Sequence, residues 1–175
     1  MMNLPFELSP RPLRPETPLQ GSRIYLAPPR GQGEAAFTQQ ITKHLVSLGA
    51  EPQIVTIDAE APMRNLDGPI IVWGNLADSD GVKELYFAFL TATDCRYPGP
   101  GGYEVRTLLD PFGKGHNLIH LGYSDEAGFR LGSERLLAQL APVTPRLVDI
   151  RTTALPMADF QVRQIRESSF PALDW

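Results

Sequence analysis

Apolar and polar residues alternate along this chain with two different periods, and the period switches several times. In "SRIYLAPP" (22–29), Ile24 and Leu26 fall on one side and Tyr25 on the other, and two prolines end the run. This pattern predicts a short strand. Over 34–48, "EAAFTQQITKHLVSL", Phe37, Ile41, Leu45 and Leu48 recur at helical spacing, and Gly49 stands where a C′ glycine belongs. "PQIVTID" (52–58) predicts a second strand and "PIIVWGN" (69–75) a third. The unbroken apolar run of the third marks a central strand covered on both faces. "DGVKELYFAFLTAT" (80–93) has helical spacing at Val82, Leu85, Phe89 and Leu90, with Asp80 as its cap.

"CRYPGPGGY" (95–103) is a turn by composition. In "YEVRTLLDP" (103–111), Tyr103, Val105 and Thr107 share one face, and Glu104, Arg106 and Leu108 the other. "PFGKG" leads so tightly into "HNLIHLGYS" (116–124) that the two strands form an antiparallel hairpin. A last helix spans 125–140, capped by Ser124 or Asp125, with a stripe of Phe129, Ser133, Leu136, Leu137 and Leu140. Gly128 and Gly132 lie one turn apart in it. Each costs about 1 kcal/mol against alanine, which a helix accepts when its backbone must pack tightly on a sheet. The order β-α-β-β-α-β-β-α predicts an α/β (α+β) fold, a mixed sheet of about five strands with two or three helices.

This unit occupies residues 21–142, and 175 residues leave room for one such domain. Residues 1–20 carry five prolines and read as an extended arm. After Pro142 the texture changes: 143–175 contain one extended run, "RLVDIRT", and complete no further element. That segment reads as an exit toward a missing downstream domain.

Net charge is −4 with scattered basic residues, so no footprint for nucleic acid is expected. No segment approaches the ~20 apolar residues of a membrane helix, so no membrane partner is expected either. The start, "MMNLPFELSP", has neither a basic nor an apolar leader region, and the compartment stays open. The single cysteine, Cys95, excludes an internal disulfide and a cysteine-rich zinc site; between Asp94 and Arg96 it reads as a half-buried structural residue.

Candidate chemistry is sparse. His116 and His120 are four apart on a strand, which separates them by about 13 Å and rules out a shared metal. His44 lies one residue off the stripe of the first helix. Asp78 with Asp80, and Asp125 with Glu126, are the carboxylate pairs to weigh for glycoside hydrolysis. Both pairs stand where strand ends meet helix starts, a favoured place for ligands in α/β folds. Helix caps are required there too, and capping explains all four without a substrate. "PPRGQGEAAF" supplies Gly31 and Gly33 between strand and helix, but Phe37 replaces the third small residue of a dinucleotide loop. "GYSDEAG" puts Ser124 at a strand–helix turn without the spacing of a nucleophile elbow. No catalytic, cofactor-binding or metal-binding residue is therefore assigned, and no cofactor is expected.

The pieces "IIVWGN" (70–75), "GGYEVRTL" (101–108) and "NLIHLGYSDEAGFRLGSERLLAQL" (117–140), preceded by the strand–helix–strand from "RIYLAPP" to "PQIV", carry a resemblance. The chain resembles the N-terminal, non-catalytic α/β domain that precedes the catalytic barrel in β-N-acetylhexosaminidases and α-glucuronidases. "DFQVRQIR" (159–166) is similar to the strand that begins that barrel. The likeness covers about 130 residues. It departs from the pattern in the proline-rich loop before Tyr103 and in the lack of a following barrel. The resemblance implies a zincin-like mixed sheet without a metal site and with helices on one face. The family's catalytic acids lie in the barrel, so none is carried onto this chain.

What the resemblance implies is an accessory domain of a carbohydrate-active enzyme, a glycoside hydrolase or polysaccharide lyase. Such a domain packs against the downstream catalytic domain of the same polypeptide, with a polysaccharide as a further partner. Phe160, Phe170 and Trp175 would then be contact residues. The alternative is a small stand-alone α/β ligand-binding protein or enzyme. Its site would lie at the strand carboxyl ends, near Asn75, Asp78, Ser124 and Asp125.

Overall fold

A computed structural model describes residues 17–18, 21–30, 35–140 and 146–147. In chain order these form β1 (Thr17–Pro18), β2 (Arg23–Ala27), α1 (Ala35–Ser47), β3 (Glu51–Ile54), a 3₁₀ turn (Met63–Asn65), β4 (Ile70–Gly74), α2 (Asp80–Phe87), β5 (Tyr103–Leu108), β6 (Leu118–Tyr123), α3 (Glu126–Gln139) and β7 (Arg146–Leu147). Apart from the two-residue strands, which pair antiparallel with each other, the order is the expected β-α-β-β-α-β-β-α. The arm before residue 17, the Gly31–Gly33 loop and the aromatics Phe160, Phe170 and Trp175 lie outside the described residues.

The main sheet is mixed and five-stranded, in the order β3-β2-β4-β6-β5. β2 runs parallel to both β3 and β4, and β4 parallel to β6. Only β5 is antiparallel, joined to β6 as the hairpin that the short "PFGKG" connection predicts. β4 lies in the middle and is buried at every position, as its unbroken run of apolar residues requires.

Alternation along the strands divides the interior into two layers. On one face Ile24, Leu26, Ile71, Trp73 and Leu121 meet Phe37, Ile41 and Leu45 of α1 and Leu136 of α3. On the other, Tyr25, Ile70, Val72 and Leu118 meet Val82 and Leu85 of α2 and Met63 of the 3₁₀ turn. Helices therefore flank both faces, not the one face that the resemblance implies. The reason is in the strands themselves: β4 is apolar on both sides and β6 is buried on both, and each side needs a cover.

α3 sits close on β5 and β6 because Gly128 and Gly132 carry no side chain. A Cβ on Gly132 would lie 3.0 Å from Tyr103 Cβ, and one on Gly128 would run into the backbone of Gly102.

α2 is shorter than its periodicity predicts. It ends at Phe87, because Phe89 turns into the left-handed region at φ 57°. The N–H of Leu90 then donates to the carbonyl of Leu85 at 2.9 Å, and that of Phe89 to Tyr86 at 3.0 Å, the pairing of a Schellman cap. Phe89 is 95% exposed rather than part of the buried stripe. The cap of α2 is Ser79, whose hydroxyl accepts from the Val82 N–H, and not Asp80.

Candidate functional site

Two glycines in register lie at the ends of the central strands, Gly74 as the last residue of β4 and Gly122 one before the last of β6. Gly74 adopts φ +128°, and a Cβ there would stand 2.6 Å from Ser79 Cβ. Only glycine fits, so the chain turns sharply out of the sheet into Asn75. The turn is tied by side chains: the Asn75 N–H donates to Asp78 Oδ1 at 2.7 Å, and the Ala77 N–H donates to Asn75 Oδ1 at 2.8 Å. Asn75 is only 7% exposed. Its side-chain Nδ2 makes no hydrogen bond to the described residues.

At the end of β6, Ser124 and Asp125 hold the glycine-rich turn of residues 98–102. Ser124 Oγ accepts from the Gly99 N–H at 3.0 Å, and Asp125 Oδ2 from the Gly101 N–H at 2.8 Å. Asp125 Oδ1 accepts from the Gly128 N–H at 2.8 Å. Asp125 is thus the N-cap of α3, one of the two residues expected there, and Glu126 lies exposed in the first turn.

These two strand ends and the first turns of α1 and α3 enclose a cleft of about 1020 Å³. All four residues of the alternative reading, Asn75, Asp78, Ser124 and Asp125, line it. Phe37 and Phe129 stand edge to face, 5.4 Å apart, on its apolar side. Gln40 and Arg130 also line it and were not anticipated. Their only signals are position on the polar side of α1, three residues after Phe37, and one turn beyond Glu126 on α3.

The carboxylate pairs fare differently. Asp78 faces this cleft, but Asp80 lines a separate 550 Å³ groove beside α2 and forms ion pairs with Arg30 and Lys83. They do not act on one space. In the second pair, both oxygens of Asp125 are occupied by backbone N–H groups.

A second polar centre lies buried on the opposite face of the hairpin. Arg106 is in register with His120, and Glu104 with Gly122. Glu104 is 3% exposed and accepts from Arg106 Nη1 at 3.1 Å; His120 Nδ1 lies 3.9 Å away, an ion-pair separation rather than a hydrogen bond. Burial pushes the Glu104 carboxyl up. The neighbouring His120 and then Arg106 outweigh that and hold it below its ordinary value. Burial raises the Tyr97 phenol, and the Glu104 charge adds to the shift. Thr93, whose hydroxyl is 3.0 Å from that of Thr91, fills the space beside Gly122 together with the His120 ring.

The remaining histidines are dispersed. His44 Nε2 is 2.7 Å from the Leu140 carbonyl and ties α1 to the end of α3. Among the described residues, no group of three or more His, Cys, Asp or Glu side chains could hold a metal ion. Among them also, no helix is long and apolar enough to cross a membrane. Cys95 is exposed, not half-buried as its neighbours suggest. Asp94 Oδ1 accepts from both the Arg96 and Tyr97 N–H groups, and this Asx turn lifts residue 95 to its tip. No protein-family model matches the chain, and no curated protein is significantly similar to it.

Proposed function

We propose that this chain is a non-catalytic accessory domain of a carbohydrate-active enzyme, a glycoside hydrolase or polysaccharide lyase. It packs against a catalytic module of the same polypeptide. One observation carries this reading: Asp125, the carboxylate best placed for chemistry, spends both oxygens on the Gly101 and Gly128 N–H groups. An acid so held secures a loop to a helix, and both of its oxygens are already engaged where a substrate proton would have to be met. Support also comes from the α2 end, where Phe87 is 74% and Phe89 95% exposed. Two large apolar rings exposed within three residues of each other fit a surface that a partner covers.

The test is turnover by the purified chain on a panel of aryl glycosides and reducing-end-labelled oligosaccharides. None is expected. Turnover that disappears in Asp125→Asn or Glu126→Gln would overturn the reading.

A second reading is favoured by the cleft itself: a ligand-binding protein with its site at the carboxyl ends of β4 and β6. Open α/β sheets bind ligands at the carboxyl ends of the strands where the chain order reverses; here that point lies between β2 and β4, and the first turn of α1, Asn75 and Asp78, which follow those two strands, line the cleft. A saturable rise in melting temperature with a small molecule, mapped to Asn75 and Ser124, supports it; binding that maps elsewhere removes it.

A further inference from the structure

We propose that the cleft between the first turns of α1 and α3 takes a neutral polyhydroxylated ligand, a mono- or oligosaccharide, with Asn75, Ser124, Gln40 and Arg130 as its polar contacts. This rests on the second reading above, that the cleft is a ligand site, and names what the site holds.

The argument begins with Asn75. A polar residue only 7% exposed normally satisfies its side-chain donors within the protein. Here Oδ1 is satisfied by Ala77, while Nδ2 has no protein partner among the described residues and the side chain lines the cleft. An unpaired donor on a nearly buried residue that lines an open space marks a place for an acceptor from outside the chain. Ser124 adds a second donor. Its oxygen already accepts from Gly99, so its own O–H is free to point outward. Gln40, exposed on α1, offers both a donor and an acceptor, and Arg130 stands at the mouth with its side chain 68% exposed.

Charge then selects among ligand classes. Among the described residues that line the cleft, Asp78, Asp125 and Glu126 outnumber the one cation, Arg130, itself 4.0 Å from Glu134, which works against a phosphate or carboxylate ligand. A cation gains little, since both oxygens of Asp125 are already saturated by backbone donors and Asp78 Oδ1 holds the Asn75 N–H. What remains is an alternation of neutral donors and acceptors beside an apolar wall of Phe37 and Phe129. A sugar presents that combination, with hydroxyls around its rim and C–H groups on its faces. The volume, about 1020 Å³, sits at the upper end of the roughly 300–1,000 Å³ range of small-molecule sites.

The experiment is amide-resolved NMR titration of the whole chain with cellotriose, xylotriose, chitotriose and maltotriose, and separately with inorganic phosphate and putrescine. At least one trisaccharide is expected to shift the amides of Asn75, Ser124 and Ala127 saturably. Asn75→Asp keeps the acceptor for Ala77 and removes the donor; Gln40→Ala alters only an exposed side chain. Each is expected to weaken that binding about fivefold, the worth of a single lost hydrogen bond. If Asn75→Asp does not fold, Gln40→Ala decides. Cleft shifts with phosphate or putrescine but no sugar would overturn the ligand class and leave a ligand site standing. Sugar shifts confined to the groove beside α2, or no shift at the cleft with any probe, would overturn both.

Discussion

Phe89 occupies, at the end of α2, the position that Gly49 occupies at the end of α1. In both helices the residue after the cap is left-handed, at φ 57° for Phe89 and 84° for Gly49. In both, two backbone hydrogen bonds close the same motif: Ala50 to Leu45 and Gly49 to Val46 at α1, and Leu90 to Leu85 and Phe89 to Tyr86 at α2. Glycine takes this conformation without strain. A phenylalanine pays roughly 1–2 kcal/mol for it, and its ring, being exposed, recovers nothing from packing.

Phe89→Gly is therefore expected to stabilise the chain by about 0.5–1 kcal/mol, the relief of strain less the extra entropy of glycine in the unfolded state. Urea unfolding of the two proteins at equal pH measures it. A loss of stability would mean that the ring makes contacts the present geometry does not contain. If the chain is docked on a catalytic module through this corner, the same substitution weakens that association while the isolated domain gains stability.

The two glycines of α3 differ in what crowds them. At Gly132 the nearest neighbour of an added Cβ is the Leu121 Cδ1, which can shift, and the next are Cβ and Cγ of Tyr103 at 3.0 and 3.1 Å, which have a few tenths of an ångström to give. At Gly128 they are backbone atoms of Gly101 and Gly102, part of the turn that Ser124 and Asp125 hold in place. Gly132→Ala gains about 1 kcal/mol of helix propensity and loses about 1–3 kcal/mol to overpacking, for a net cost near 1 kcal/mol. Gly128→Ala is expected to cost more, at least about 2 kcal/mol by the same reasoning. Equal effects in thermal unfolding would show that the helix slides as a unit.

These particulars also show what was legible in the sequence. The periodicity sufficed for the element order, the β5–β6 hairpin and the central place of β4, because each depends on local pattern or a short connection. The packing role of Gly128 and Gly132 was legible because two glycines in a helix interior demand a reason. The left-handed stop at Phe89 was not, since Leu90 continues the helical apolar spacing and in fact packs on the same layer through the cap. The burial of Glu104 was not legible either. Alternation puts it opposite Tyr103 and Val105, and nothing local says that this second face is covered too. That Asn75, Asp78, Ser124 and Asp125 gather at one cleft is legible because strand ends are named by the pattern. Gln40 and Arg130 come from helix faces whose rotation only the tertiary packing sets.

Glu104 ties stability to acid. Its carboxyl is held below the ordinary value of 4.5 when folded. A depressed carboxyl contributes stability at pH above its unfolded value, and that contribution is lost as pH falls through the folded one. The chain should therefore weaken below about pH 4.5. Glu104→Gln should cost about 1–3 kcal/mol near neutrality, where it leaves the partly buried Arg106 short of its carboxylate, and the gap to the parent should close as the pH is lowered toward 3. Urea midpoints across that range measure both. A gap that stays constant with pH would mean that Glu104 is not ionised in the folded chain.

Asp125 joins the start of α3 to the turn of residues 98–102, beside the Ser124 hydroxyl that holds Gly99. One oxygen caps α3 and the other receives the Gly101 N–H, 24 residues earlier in sequence. Asp125→Ala removes both at once. The cap alone is worth about 0.5–2 kcal/mol, and the second bond leaves a part-buried donor, a further ~1 kcal/mol. The expected loss is about 2–3 kcal/mol. Asp125→Ser separates the contributions, since a serine caps α3 nearly as well but has one oxygen to offer. It should recover the helix share and leave the turn of residues 98–102 loosened, visible as faster amide exchange at Gly101 with little change at Gly128. Should Asp125→Ser restore protection at Gly101 as well, the tether would belong to Ser124 and Gly99, and the carboxylate would be free for a role in the cleft.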